Sequence, residues 1–310
     1  MKIKFSRRVL WLSLLCSSDF ASQNQPQIQR KGSFCFTKAM VILLMEMSAY
    51  LADPNEKPLD RIVDDGGFTS IFRTIGCIGD SLSSGEFEST DPEGKTKGYH
   101  DYYEYSWGQY IARAAGVKVY NFSRGGMTAQ EYWDSFAEKS GFWDTDKLCQ
   151  AYIIALGVND LYGRKMEVGS IADIDRDDCN NNKDTFCGYY CKIIQRLKAM
   201  QPQARFFLMT MPRSQRPDGD GTGRKHASLL HDLAGFFDYT YVIDLNKYAP
   251  VYDEEFKRRF YLGGHMNPMG YLLTAKMTMS YIDYIIRHNP EDFAQVGFIG
   301  KEVHNYTAKW

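Results

Sequence analysis

Thr74-Ile75-Gly76-Cys77-Ile78-Gly79-Asp80-Ser81-Leu82 is a short apolar run that breaks off at Gly-Asp-Ser. A run of this length, apolar along its course and closed by turn-forming residues, reads as a buried strand entering a turn. Four further runs read the same way: Val117 to Phe122, Ala151 to Leu156, Phe206 to Met211 and Tyr239 to Leu245. Helical spacing fills the stretches between them. His100 to Ala115 places Trp107, Ile111 and Ala114 on one side and stops at Gly116. A second helix is expected from near Met127, with Thr128 as its cap. Asp184 to Met200 is amphipathic and closed by Pro202, and Met269 to Arg287 is a long helix opened by Pro268 in its first turn. Strands that are apolar throughout and separated by helices predict a parallel sheet covered on both faces. Right-handed crossovers then give a three-layer α/β/α sandwich with five parallel strands, a flavodoxin-like arrangement. In such sheets ligands sit beyond the carboxyl ends of the strands, so the chemistry is sought just after each strand.

The composition limits what that chemistry can serve. Of 310 residues, 44% are hydrophobic and 24% charged, which excludes bulk disorder. Lys and Arg number 37 against 38 Asp and Glu, a balance that argues against nucleic acid as a partner, because polyanion binding relies on a basic surface. No run approaches the roughly 18 apolar residues of a membrane span. The seven cysteines are odd in number and scattered, with no C-x-x-C pair to suggest zinc or thioredoxin chemistry. They read as reduced thiols in a reducing, cytoplasmic compartment.

Residues 1–70 read differently and are assigned to an N-terminal extension, with the folded domain over 71–310. Lys2, Lys4, Arg7 and Arg8 precede the apolar run Val9 to Leu15, which resembles a secretory signal and gives secretion as the alternative localisation. The competing expectation is that residues 1 to about 44 are disordered or are upstream sequence wrongly joined, since Met40, Met45 and Met47 offer later starts.

Asp80 and Ser81 follow the first strand, and Asn121, Ser123, Gly125 and Gly126 end and follow the second. Gly157, Asn159 and Asp160 follow the third, and His265, Asn267, Pro268, Gly270 and Tyr271 open the last helix. Singly, each has a plain reading as a helix cap or a turn. Together they place a hydroxyl, a carboxamide, glycine amides and an imidazole at one end of one sheet. Acyl transfer needs that set: a nucleophile, a base for its proton, and donors for the tetrahedral oxyanion. His226 and His231 share a helix but not a face, so no metal pair is expected. Tyr99, Tyr102, Tyr103, Tyr105 and Trp107 read as core packing in preference to a substrate wall, and Arg124 as a partner for a surface carboxylate.

With these blocks the chain resembles the GDSL or SGNH hydrolases. Gly79-Asp80-Ser81-Leu82 stands as the motif that names the family, and Asn121 with Gly126 is similar to its second block. Gly157-Val158-Asn159-Asp160 is similar to the third, and His265 with Asn267, Gly270 and Tyr271 to the last. The resemblance implies a serine esterase in which Ser81 is the nucleophile and His265 the base. The Ser81 N–H, the Gly126 N–H and the Asn159 side chain would form the oxyanion hole. It implies no metal or organic cofactor. The substrate would be a small carboxylic ester, with short-acyl and sugar esters as candidates. An acyltransferase acting on a sugar and an inactive carbohydrate-binding module are the alternatives.

One departure stands out. The family usually carries an Asp three residues before the base, and here that position is Leu262. The acid of such a triad sets the imidazole tautomer and stabilises its charged form. Asp253, Glu254 and Glu255 lie shortly upstream as candidates, and a backbone carbonyl freed by Gly263-Gly264 is the other.

Overall fold

The structure, a computed structural model, describes residues 51–216 and 218–307. The chain enters the central sheet with β1 (Thr74–Gly79), makes the one-turn helix α1 (Ser81–Ser84), and then forms a hairpin of β2 (Glu86–Thr90) and β3 (Thr96–Asp101). Helix α2 (Trp107–Ala115) leads to β4 (Lys118–Ser123) and, after a helical stretch, to β5 (Ala151–Ala155). There follow α3 (Phe186–Met200), β6 (Arg205–Met209), α4 (Gly221–Phe236) and β7 (Thr240–Ile243). The last elements are α5 (Glu254–Phe260), the two-residue strands β8 (Tyr261–Leu262) and β9 (His265–Met266), and the long α6 (Pro268–His288).

Five strands pair in the order β4-β1-β5-β6-β7, all parallel, so the predicted α/β sandwich and its five strands are present. Side chains alternate between the faces along each strand. Ile75, Cys77, Ile153, Phe207 and Ile243 pack on one side with Trp107 and Ile111 of α2 and Tyr271, Ala275 and Ile282 of α6. Ile78, Ile154, Phe206 and Leu208 face the other way, against Tyr190 and Ile194 of α3 and Leu230 and Leu233 of α4. Thr128 caps the helical stretch beginning at Ala129, its Oγ1 accepting from the Glu131 N–H at 3.1 Å. The cysteines that fall among the described residues, Cys77, Cys149, Cys179, Cys187 and Cys191, are free thiols.

Two expectations need correction. The stretch expected to be helical from His100 becomes an α-helix only at Trp107, after a 3-10 turn over Tyr103–Tyr105. His100 and Asp101 close β3, and Ser106 starts α2 by accepting from the Gln109 N–H at 3.1 Å. A serine whose side chain satisfies an orphan amide fixes the helix start seven residues later than the expected one.

The second concerns the boundary at residue 71. The described residues from 52 onward form one compact unit. The Val63 N–H donates to Ser280 Oγ (3.0 Å), the Phe68 N–H to Asp283 Oδ1 (2.8 Å), and Glu56 holds the buried guanidinium of Arg287 with contacts at 2.6 and 2.8 Å. These are polar tethers to α6 beside scattered apolar anchors (Val63 buried, Leu59 and Phe68 packed on the core), and such contacts have no periodic signature. The readings of residues 1 to about 44 lie outside the described residues.

Candidate active site

The nucleophile turn is built by its own capping. Asp80 Oδ1 accepts from the Leu82 N–H at 3.1 Å, which starts α1 and sets Ser81 at its first position, half-buried at the carboxyl edge of the sheet. Burial pushes the Asp80 carboxyl up to about 7; the Leu82 amide opposes this and the neighbouring Asp160 adds to it. Asp160 is itself pushed up to about 6 by burial, against the hydrogen bond that its Oδ1 accepts from the Ala129 N–H at 2.8 Å.

Asn159 ties three loops together. Its Nδ2 donates to the Met127 carbonyl at 3.1 Å and lies 3.5 Å from Asp80 Oδ2, so it spans from the turn after β5 to those after β4 and β1. Gly126 precedes Met127 in that loop, with φ of 72°, a conformation glycine adopts without steric cost. Arg124 in the same loop pairs with Glu131, the surface carboxylate expected of it. Ser81, Asn159 and His265 line one cleft of about 480 Å³, together with Asp80, Arg216 and Lys257.

His265 is presented by the pairing of β8 with β9, in which Leu262 faces His265 across the Gly263-Gly264 turn. Leu262 is 51% exposed and offers no charge. The sequence candidates for the missing acid are engaged elsewhere. Asp253 caps α5 by accepting from the Phe256 N–H at 2.9 Å, Glu254 pairs with Lys257 at 3.2 Å, and Glu255 pairs with Arg258 and Arg259 at 2.8 and 2.6 Å.

The carboxylates beside His265 come instead from the β2–β3 hairpin. Glu86 Oε1 lies 3.0 Å from His265 Nε2, and Glu88 Oε2 lies 3.9 Å from Nδ1, a buried nitrogen with no hydrogen-bond partner. Glu88 is fixed in place by the Gly264 N–H, which donates to its Oε2 at 2.7 Å, and by the Thr96 hydroxyl, which donates to Oε1. The Thr96 bond, then the Gly264 amide, hold the Glu88 carboxyl below its usual range, so it is ionised at neutral pH. Glu86 is raised by burial and by Asp101. A Cβ on Gly125 would come within 1.9 Å of Glu86 Oε2, so the absence of a side chain there is what admits this carboxylate. Burial lowers the His265 pKa from 6.5, and Glu88 and Asp101 push it back up. A lowered value leaves the ring neutral, and able to accept a proton, at neutral pH.

Glu86 and Glu88 were missed by sequence reading, although two carboxylates at i and i+2 just after the nucleophile would share one face of a strand. The aromatic cluster divides. Trp107 is buried and Tyr103 donates to the Val119 carbonyl at 3.2 Å, as core residues do. Tyr99, Tyr102 and Tyr105 are 58%, 49% and 44% exposed, and the Tyr99 ring meets His265 edge-on with centroids 5.5 Å apart. Of the other histidines, His226 is buried against the Leu156 carbonyl at 3.1 Å, and His231 contacts Asp244 at 2.8 Å. Among the described residues no cluster of three or more His, Cys, Asp or Glu could hold a metal ion, and no helix is long and apolar enough to cross a membrane.

The sequence pattern that defines the GDSL-like Lipase/Acylhydrolase family matches residues 77–273. None of the curated protein sequences matches the chain. Among solved structures, a family two carbohydrate esterase from Clostridium thermocellum in complex with cellohexaose is similar at 16% identity and a TM-score of 0.49, over 69% of this chain and 64% of that one. A putative lipolytic protein of the G-D-S-L family from Desulfitobacterium hafniense is similar at 14% identity and a TM-score of 0.42, over 67% of this chain and 99% of that one.

Proposed function

Because the chain belongs to the GDSL-like lipase/acylhydrolase family, we propose that it hydrolyses carboxylic esters through an acyl-enzyme on Ser81. The observation that carries this reading is that Ser81, Asn159 and His265, far apart in sequence, line a single cleft. Ser81 Oγ attacks the ester carbonyl carbon while His265 Nε2 takes the hydroxyl proton. The carbonyl electron pair moves onto oxygen, where the Ser81 N–H, the Gly126 N–H and an Asn159 amide hydrogen receive it. The imidazolium returns its proton to the leaving alcohol as the carbon–oxygen bond breaks, and water then repeats the sequence in reverse roles to release the acid. In the resting site Glu86 occupies Nε2 at 3.0 Å, so the serine hydroxyl must take that position from it.

Substrates are proposed to be short-acyl esters whose alcohol part is a sugar. The support is the exposed Tyr99, whose ring lies beside the base and whose face suits the apolar face of a sugar ring. A panel of p-nitrophenyl esters of increasing acyl length, run beside acetylated sugars, tests both parts. Turnover of the short-chain and sugar esters is expected. Failure of the wild-type protein to cleave any of them sinks the reading.

A further inference from the structure

The base of this site lacks a carboxylate at the position three residues upstream, yet its Nδ1 is buried, unpartnered and turned toward an anchored carboxylate. We infer that Glu88, from the hairpin that follows the nucleophile, is the positioning residue that orients His265 through Nδ1 in the place of the absent aspartate. The inference rests on the ester-hydrolase reading and deepens it.

Geometry assigns Glu88 and not Glu86. In a serine–histidine–acid unit the nucleophile's proton passes to Nε2, while the acid accepts from Nδ1–H. Glu86 is at Nε2, the nitrogen that must be given up to Ser81. Glu88 is at Nδ1, at 3.9 Å, beyond a hydrogen bond but within the range of contacts that tighten when substrate closes a resting site. Its anchoring is also specific. The Gly264 amide that fixes Oε2 belongs to the turn that presents His265, so the turn that carries the base also holds the acid. No backbone carbonyl among the described residues lies within hydrogen-bond reach of Nδ1, whereas the turn uses an amide to hold the carboxylate.

The remaining charged groups around the ring set the sign of the test. Glu86, Glu88 and Asp101 reach it from the hairpin, and Asp80, Arg216 and Lys257 line the cleft that it faces. Glu88 raises the His265 pKa, so removing its charge lowers that pKa further. Loosening of the hairpin does the opposite, because hydration returns the ring toward its ordinary value of about 6.5.

Glu88→Gln keeps the side-chain shape and a hydrogen-bonding group for Gly264 and Thr96. Two readouts are taken on the full chain: kcat and KM on p-nitrophenyl acetate, and the His265 pKa from NMR titration of its ring protons. The expected result is a fall in kcat of about 10³- to 10⁴-fold with KM little changed, together with a His265 pKa lower than in the wild type, because the charge that favours the imidazolium is gone. Unchanged kcat and pKa overturn the inference in favour of a backbone acceptor. A pKa that rises toward 6.5 overturns it too, since Glu88 would then only hold the hairpin. The same double effect in Glu86→Gln but not in Glu88→Gln transfers the role to Glu86 and also overturns it. The titration needs no substrate, so if the wild-type protein cleaves no ester, that failure belongs to the functional reading and the pKa shift still decides the role of Glu88.

Discussion

The central sheet and the β2–β3 hairpin lie next to one another and were built under opposite constraints. β5 and β6 are buried almost without interruption, and their residues feed two apolar layers. β3 is exposed at five of its six positions and β2 is nowhere fully buried. The sheet supplies stability and the fixed edge on which Ser81 and Asn159 are mounted. The hairpin buries little and supplies charge, Glu86 and Glu88 at His265, with the exposed Tyr99 ring beside that base. The difference shows that the element with least claim on the core can contribute most to the electrostatics of a site.

This division can be broken by mutation. The largest effect is expected at the nucleophile: Ser81→Ala should lower kcat by at least about four orders of magnitude, with the melting temperature unchanged because its half-buried hydroxyl supports no packing. Purified mutant that keeps a tenth of the turnover removes Ser81 from the reaction. Asn159→Ala comes next, at about 10²- to 10³-fold in kcat for one oxyanion donor, with KM nearly constant. Here the comparison is sharpened, since Asn159 also donates to the Met127 carbonyl and a modest loss of melting temperature is expected alongside. A rise in KM at constant kcat would mean that Asn159 binds substrate in the ground state.

A change in the sheet should behave in the opposite way. Ile153→Ala empties a fully buried position in β5 and should cost about 2–5 kcal/mol of stability by chemical denaturation, with kcat of the folded fraction close to wild type. A large loss of kcat there would mean that sheet and site are not separable. The smallest effect concerns pH. The neutral form of His265 is the active base, so kcat/KM should rise with pH and level off above its pKa. The midpoint should lie below 6.5, because burial disfavours the imidazolium more than Glu88 and Asp101 favour it. A midpoint above 6.5 reverses that balance and puts the carboxylates in control.

The same contrast explains what the sequence disclosed. All five strands were legible, because burial on both faces demands unbroken apolar runs such as Ala151 to Leu156. Ser81, Gly126 and Asn159 stood out in the sequence because they follow those runs, and His265 because it stands just before the last helix. The hairpin was not, since Glu86-Phe87-Glu88-Ser89-Thr90 pairs with Thr96 to Asp101 without an apolar face, and the period-2 signal of a half-buried strand never arises. Its one local cue is the turn Asp91-Pro92-Glu93-Gly94, in which Gly94 has φ of 81°. The acid was therefore sought upstream of His265 in sequence, at Asp253, Glu254 and Glu255, when the partners in space arrive from 177 to 179 residues earlier. Residues 52 to 70 were hidden for a related reason: hydrogen bonds from Val63 and Phe68 and the Glu56–Arg287 ion pair hold them, and none leaves a pattern.

The central claim is that the cleft edge activates Ser81 through His265. The most direct measurement of it is the site and rate of covalent labelling by a serine-directed phosphonate, followed by intact-mass and peptide mass spectrometry. The account predicts a single adduct on Ser81, formed faster as pH rises through the His265 pKa and slowed by orders of magnitude in His265→Ala. Labelling at another residue, or a Ser81 adduct that forms at the same rate without His265, contradicts it.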